Sequence, residues 1–240
     1  MGLIVRWTIG PCNRLGLTCL KRSIKSWIKT FGRPSNGIFV CHNGIKTKEL
    51  DILRDLDVDL IEQSKYKSSL KIPPFDSAWK FYPPRISKDD HEVFIDNDLI
   101  VYSKFSELDN FLSRKDAAIV TAAHKPFFGN FQNRIPKEQD AINTGFFGLP
   151  PEFDFGSELN NTIGNQRWET HSDDQGAFCL AVKKLDLIVV PLKVIWVANP
   201  NVGFAPYKEG SSGTHFAGSN HGNFSYLKSF LKKTTNKILV

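Results

Sequence analysis

Asp96-Asn97-Asp98 follows the short apolar run Val93-Phe94-Ile95, which reads as a strand. Two carboxylates one residue apart at a strand terminus offer oxygen ligands to a single divalent cation, and a cation held there would grip a diphosphate. The same triplet also arises as a polar turn that caps a strand, so its meaning depends on its company. That company includes His215-Phe216-Ala217-Gly218-Ser219-Asn220-His221, a segment set among glycines. A neutral imidazole is a good third ligand for a borderline ion such as Mn²⁺ beside two carboxylates. A glycine three residues on, Gly218, lets backbone approach a phosphate. Asp96, Asp98 and His215 are therefore the candidate metal ligands, with Mg²⁺ as the alternative ion.

The elements that must position these groups alternate between strand and helix. Leu3 to Ile9 is β-rich, Gly10-Pro11 breaks it, and Leu20, Ile24, Trp27, Ile28 and Phe31 recur at helical spacing. Ile38-Phe39-Val40 is the next strand, and a helix is expected from Lys48 to about Leu53. After Pro73-Pro74 a short helix around residues 76–80 precedes Pro83-Pro84 and the Asp96 strand. Ser106 opens a helix that buries Leu108, Phe111 and Leu112, and residues 117–122 form a small-residue strand. The stretch between Gly148 and Glu169 reads as an acidic, Asn-rich loop. Ser172 or Asp173 caps a helix that begins there. Residues 185–196 read as two strands hinged at Pro191, the segment around His215 as a loop, and residues after Phe224 as a short basic helix. This alternation predicts an α/β fold with a mixed, mostly parallel sheet covered by helices on both faces, in which ligands collect at the carboxyl ends of strands.

With 240 residues and 41% hydrophobic content the chain can bury one substantial core, and a single domain over 1–240 is expected, with a basic segment at 224–240. A net charge of +6 and a pI near 9.1 suit an acidic ligand or an anionic membrane surface. The basic residues are dispersed and accompany no nucleic-acid-binding motif, so no nucleic-acid partner is expected. Lys21, Arg22, Lys25 and Lys29 on one face of the first helix read either as a membrane-facing stripe or as a solvated outer face. Cys12, Cys19, Cys41 and Cys179 lack zinc-site spacing and disulfide density, which points to reduced thiols and a cytoplasmic protein. No secretory signal or membrane-length apolar run is evident, so the two Asn-x-Ser/Thr matches are taken as chance.

A strand-end Asp-x-Asp, a central Asn143-Thr144-Gly145, the acidic Asp173-Asp174-Gln175 helix start and the late His215-x-x-Gly218 loop, in that order, resemble nucleotide-sugar glycosyltransferases of the GT-A fold. They are most similar to the retaining group called glycosyltransferase family 8. The resemblance runs from the first strand to about Asn223. It implies that Asp96, Asn97 and Asp98 face both the metal and the donor ribose, with His215 completing the protein's share of the metal shell. Asn143 and Gly145 would lie beneath the transferred sugar, and Asp173, Asp174 and Gln175 beside the reacting carbon. There a carboxylate would bind sugar hydroxyls, act as base, or stabilise an oxocarbenium-like transition state. Thr8 and Ile9 fall where GT-A enzymes cradle the nucleotide base, and Lys80 and Arg85 are candidates for the donor phosphates or sugar. The family's late motif has a lysine where this chain has His221, whose weaker, pH-dependent charge departs from the pattern.

The resemblance implies a transferase that moves a sugar from a nucleotide-sugar donor, a UDP-sugar in the first instance, to a glycan or lipid-linked acceptor. The basic C-terminus is a candidate contact for an anionic acceptor at a membrane surface. The competing readings are a catalytically impaired sugar-nucleotide or glycan-binding module and a metal-dependent nucleotidyltransferase. The latter normally carries a phosphate-cradling glycine-rich loop, which this chain lacks near its N-terminus.

Overall fold

A computed structural model describes residues 2–12, 14–73, 76–198 and 208–217. The C-terminal segment 224–240, Gly218 and His221 lie outside the described residues. Seven strands form the main sheet in the order β3-β2-β1-β4-β7-β6-β8. They are β1 (Leu3–Ile9), β2 (Ile38–His42), β3 (Asp59–Glu62), β4 (His91–Asp96), β6 (Ala117–Ala122), β7 (Ile142–Leu149) and β8 (Asp186–Val190). Pairs β1/β2, β2/β3, β1/β4 and β6/β8 are parallel, whereas β7 runs antiparallel between β4 and β6. The expected mixed, mostly parallel sheet is thus observed. A second, three-stranded sheet joins β5 (Leu99–Val101), β10 (Gly213–His215) and β9 (Ile195–Val197).

Side chains along the central strands point alternately to two faces, and each face has its own core. Val5, Trp7, Val93 and Ile95 pack on one side beneath α1 (Arg14–Phe31), Leu50 of the short α2 (Thr47–Leu50) and α3 (Ser106–Leu112). Helix α1 buries Leu20, Ile24 and Trp27 of the apolar spacing read from the sequence, with Leu17 beside them, and Trp27 meets Trp7 edge-on at 6.4 Å. On its outer face Lys21 and Lys25 reach Asp55 at 2.6 and 3.7 Å, which favours the solvated reading of that face over the membrane one. Phe94 and Phe147 point to the other side, stacked at 4.1 Å, beneath α4 (Phe155–Ile163), α5 (Asp173–Ala181) and the 3-10 turn at Asp76–Phe81.

Two expectations are corrected. The Asn-rich stretch after Gly148 contains α4, capped by Asp154, whose carboxylate accepts the Ser157 N–H at 3.0 Å. Its apolar residues, Phe155, Leu159 and Ile163, are spaced so widely among polar ones that composition masked the period. Asn143-Thr144-Gly145 opens β7, and His215 ends a strand rather than sitting in a loop. Among the described residues no helix is long and apolar enough to cross a membrane.

A charged group lies inside the second core. Arg6, fully buried in β1, contacts Glu92 at 3.1 Å, lays its guanidinium over the Phe94 ring at 3.9 Å, and donates to the Lys80 carbonyl at 2.6 Å. Arg85 shares Glu92 at 3.2 Å and also donates to the carbonyls of Pro150, Phe153 and Asp90. Removing one member of a buried ion pair leaves the other charge uncompensated. Glu92→Leu is therefore expected to lower unfolding free energy by about 3–5 kcal/mol in urea titration. Adding Arg6→Met to that variant should recover a substantial part of the loss.

Candidate functional site

The carboxyl ends of β1 and β4 lie side by side, with Thr8 in register with Asp96. Beyond Asp96 the chain turns through Asn97 and Asp98, both buried, into β5. Strand β10 pairs antiparallel with β5, so that His215 is the register partner of Leu99, the residue directly after Asp98. This pairing delivers the imidazole to the two carboxylates from 117 positions later in the chain, the difference between 215 and 98. His215 Nε2 lies 3.2 Å from Asp98 and 3.7 Å from Asp96. The ligand atoms of Asp96, Asp98 and His215 all fall within 4.8 Å of one another, a group able to hold one divalent ion.

The segment 143–145 supports this histidine from behind. Asn143 Oδ1 accepts the Gly145 N–H at 2.9 Å, which identifies it as the amide oxygen, and the same oxygen lies 2.8 Å from His215 Nδ1. Nδ1 must then carry a proton, and the lone pair needed by a metal is at Nε2, toward the carboxylates. Gly145 makes this approach feasible, because a Cβ there would stand 2.1 Å from His215 Cε1. Burial acts to lower the affinity of His215 for a second proton, but Asp98 and Asp96 outweigh it and raise its pKa. A proton at Nε2 and a divalent ion thus answer the same pair of negative charges.

Lys80 connects the metal group to the acidic helix start. Its ammonium is 2.7 Å from Asp174 and 3.4 Å from Asp96, and it also reaches Thr144 Oγ1 at 3.3 Å. Desolvation works against the ammonium, yet the two carboxylates dominate and raise its pKa above the ordinary lysine value, so it is charged at neutral pH. Asp96 is raised, chiefly by desolvation, while Lys80 and His215 pull it back toward ionisation. The turn that carries Lys80 is held at both ends: Arg6 takes the Lys80 carbonyl, and buried Gln63 donates to the carbonyls of Trp79 and Tyr82.

Asp174 accepts the Thr144 hydroxyl at 2.6 Å and the Gln175 N–H at 2.8 Å. It sits in the first turn of α5, where the helix dipole favours a carboxylate. Asp173 is bound quite differently. Its two oxygens accept from the backbone N–H groups of Asn130, Glu169 and Thr170 and from the Thr170 hydroxyl, at 2.6–2.8 Å, and it is fully buried. Its hydrogen-bonding capacity goes to joining two loops, which leaves Asp174 as the helix-start carboxylate linked to the metal group through Lys80.

Arg85 lies elsewhere, and Ile9, the last residue of β1, turns its side chain into the core. Arg85 is bonded to Glu92, near the start of β4 and about 13 Å along the strand from Asp96 at the usual rise per residue. Its guanidinium is occupied by carbonyls there, away from the carboxyl end. Ile9 is part of the core beneath α1, and its carbonyl accepts the Asn43 N–H at 3.1 Å. Thr144 was not singled out from the sequence, although it bridges Lys80 and Asp174. The signal was present: in a strand, position 144 faces opposite to 143 and 145 and so meets different partners.

Removing the support of His215 should weaken the metal group without unfolding the protein. Gly145→Ala and Asn143→Leu are each expected to reduce Mn²⁺ affinity by about 10–100-fold. Electron paramagnetic resonance of free Mn²⁺ would measure this, with thermal melts as the control for folding.

No family model and no curated protein sequence matches the chain. Solved structures do match its fold. A galactosyltransferase, LgtC, determined with donor and acceptor sugar analogs, aligns with TM-score 0.59 and 10% identity over 94% of each chain. Mouse xyloside xylosyltransferase 1 aligns with TM-score 0.60 and 12% identity, covering 91% of this chain and 98% of that one. A glycosyltransferase involved in glycosylation of the major capsid of PBCV-1 aligns with TM-score 0.54 and 13% identity, over 95% and 98% of the two chains. The seven-stranded sheet with Asp96, Asp98 and His215 at its carboxyl edge is the GT-A glycosyltransferase fold, matched over most of the chain by structures of the family-8 type.

Proposed function

We propose that this chain is a divalent-cation-dependent glycosyltransferase of hexosyl type. It moves a sugar from a nucleoside diphosphate sugar, with uridine favoured, to a glycan or lipid-linked acceptor. The observation that carries this reading is the direct linkage of the Asp96/Asp98/His215 group to Asp174 through the single buried ammonium of Lys80. A diphosphate bound at the metal group would then have its sugar beside Asp174.

Asp96 and Asp98 through oxygen and His215 through Nε2 would hold the cation, with Mn²⁺ preferred for its acceptance of mixed oxygen and nitrogen ligands. When bound, it supplies positive charge to the departing diphosphate. The other tasks fall to the chain's own residues. Asp96 and Asn97 lie where a ribose would reach them, and Thr8, in register with Asp96, borders the base position. Lys80 offers its charge to the donor phosphates or sugar hydroxyls. Asp174, fixed by Lys80, Thr144 and the Gln175 N–H, keeps a carboxylate beside the anomeric carbon, where it opposes the positive charge that develops there. Asn143 is fastened by its oxygen, so its amino group is the part left to meet the sugar. The Asp174-Gln175 pair matches the retaining pattern better than a single inverting base does. His221 and Gly218 complete the proposed phosphate contacts, and all four cysteines are unpaired thiols, which fits a cytoplasmic enzyme working at the inner membrane face.

Calorimetric titration of UDP and GDP, each with and without Mn²⁺, tests the donor site. One nucleotide is expected to bind only with metal, and Asp98→Ala to abolish that binding; if neither nucleotide binds under any condition, the reading is withdrawn. Asp174→Asn is expected to leave nucleotide affinity within about twofold while lowering turnover by about 10²–10³. Hydrolysis of the donor sugar, followed by release of the nucleoside diphosphate, would measure it.

A further inference from the structure

Away from the metal group, an open cleft of about 820 Å³ lies between the 3-10 turn at Gly129–Arg134 and the loop joining α4 to α5. This falls within the roughly 300–1,000 Å³ range of small-molecule sites. Asn130, Arg134, Asn161, Asn165, Gln166 and Glu169 are among the residues that line it. Part of their hydrogen bonding builds the walls. Gln166 Nε2 donates to the Asn130 carbonyl at 3.0 Å, Asn130 Nδ2 to the Arg167 carbonyl and the Glu169 carboxylate at 3.4 Å, and Arg134 Nη2 to the Thr162 carbonyl at 2.5 Å. Asn161 and Asn165 stand exposed on the rim. Each amide offers a donor and an acceptor at one planar end, the pairing that neighbouring sugar hydroxyls match.

Asp173 supplies the second observation. It takes the N–H of Asn130 from one wall of the cleft and the N–H groups of Glu169 and Thr170 from the other. The fit is close: Gly129 has φ +54°, and a Cβ there would lie 2.0 Å from Asp173 Oδ1. Both walls are thereby fastened to the first residue of α5, and the next residue is Asp174. A buried carboxylate with no place in the chemistry thus holds the cleft in fixed relation to the residue beside the reacting carbon.

Resting on the glycosyltransferase reading, we propose that this cleft binds the acceptor, as the run of neutral sugar units beyond the one that receives the transferred hexose. The lining suits neutral groups, since Arg167 stands 3.6 Å from Glu169 and four amides, Asn130, Asn161, Asn165 and Gln166, supply most of the other polar side chains. The cleft then sets the acceptor class, an oligosaccharide rather than a single sugar or a bare lipid phosphate.

Saturation-transfer NMR with neutral gluco- and galacto-oligosaccharides of increasing length, on the wild type and on Asn165→Trp and Asn161→Ala/Asn165→Ala, tests the assignment. UDP with Mn²⁺ is titrated in parallel, and melting curves check folding of these exposed-site variants. The wild type should bind at least one series more tightly as the chain lengthens. The tryptophan, which puts a bulky ring at the edge of the cleft, should weaken that binding by about tenfold or more, and the double alanine by less, with UDP affinity unchanged. Absence of oligosaccharide binding to the wild type, or equal binding to Asn165→Trp, overturns the cleft assignment. Metal-dependent UDP binding in the same samples would leave the glycosyltransferase reading standing, whereas its loss from the wild type would be that reading's own failure.

Discussion

Three carboxylates, Asp96, Asp98 and Asp174, converge on one partly desolvated space at the carboxyl edge of the sheet, and such a cluster persists only if opposite charge is supplied within a few ångströms. Two groups supply it in the described structure. Lys80 spans Asp174 and Asp96, and His215 faces Asp98 and Asp96. Each is held by a neutral neighbour that leaves its charge available: Thr144 beside the ammonium and Asn143 behind the imidazole. The need to balance this charge accounts for the buried lysine, for the glycine that admits the histidine, and for the affinity that the site would have for a divalent ion.

The sheet topology makes the convergence feasible. Strand β4 ends at Asp96, and because β7 runs antiparallel beside it, the start of β7 falls at the same edge. Asn143, Thr144 and Gly145 therefore meet the metal group and Asp174 directly, which a parallel neighbour would have placed at the opposite end. The small sheet performs the corresponding task for His215, with β10 pairing to the strand that leaves Asp98. Regular backbone pairing, rather than loop conformation, sets the position of both 143–145 and His215, and sites on regular elements are held more closely than sites on loops.

Beneath the site, Arg6, Glu92 and Arg85 form a buried ionic group within an aromatic core of Phe81, Phe94, Phe147 and Phe155. Arg6 extends this group upward to the Lys80 carbonyl. Buried ion pairs contribute little net stability compared with apolar packing. The structural return here is positional, because the backbone that carries Lys80 is bonded to the centre of β1. At the other side of the site Asp173 performs a similar fastening with backbone N–H groups.

Short-range patterns were legible from residue order alone. Apolar spacing revealed α1 and its buried face, strand-length apolar runs marked β1, β2, β4 and β6, and the motif order pointed to the GT-A arrangement and to Asp96, Asp98 and His215 as one metal group. These depend on periodicity and residue type, which local physics sets. The tertiary structure decided what Arg85, Ile9, Asp173 and Asn143 contact, since the first is consumed by Glu92, the second by the core, the third by two loops and the fourth by His215. A side chain's role depends on which distant groups compete for its hydrogen bonds, and that competition is settled only when strands far apart in the chain are paired.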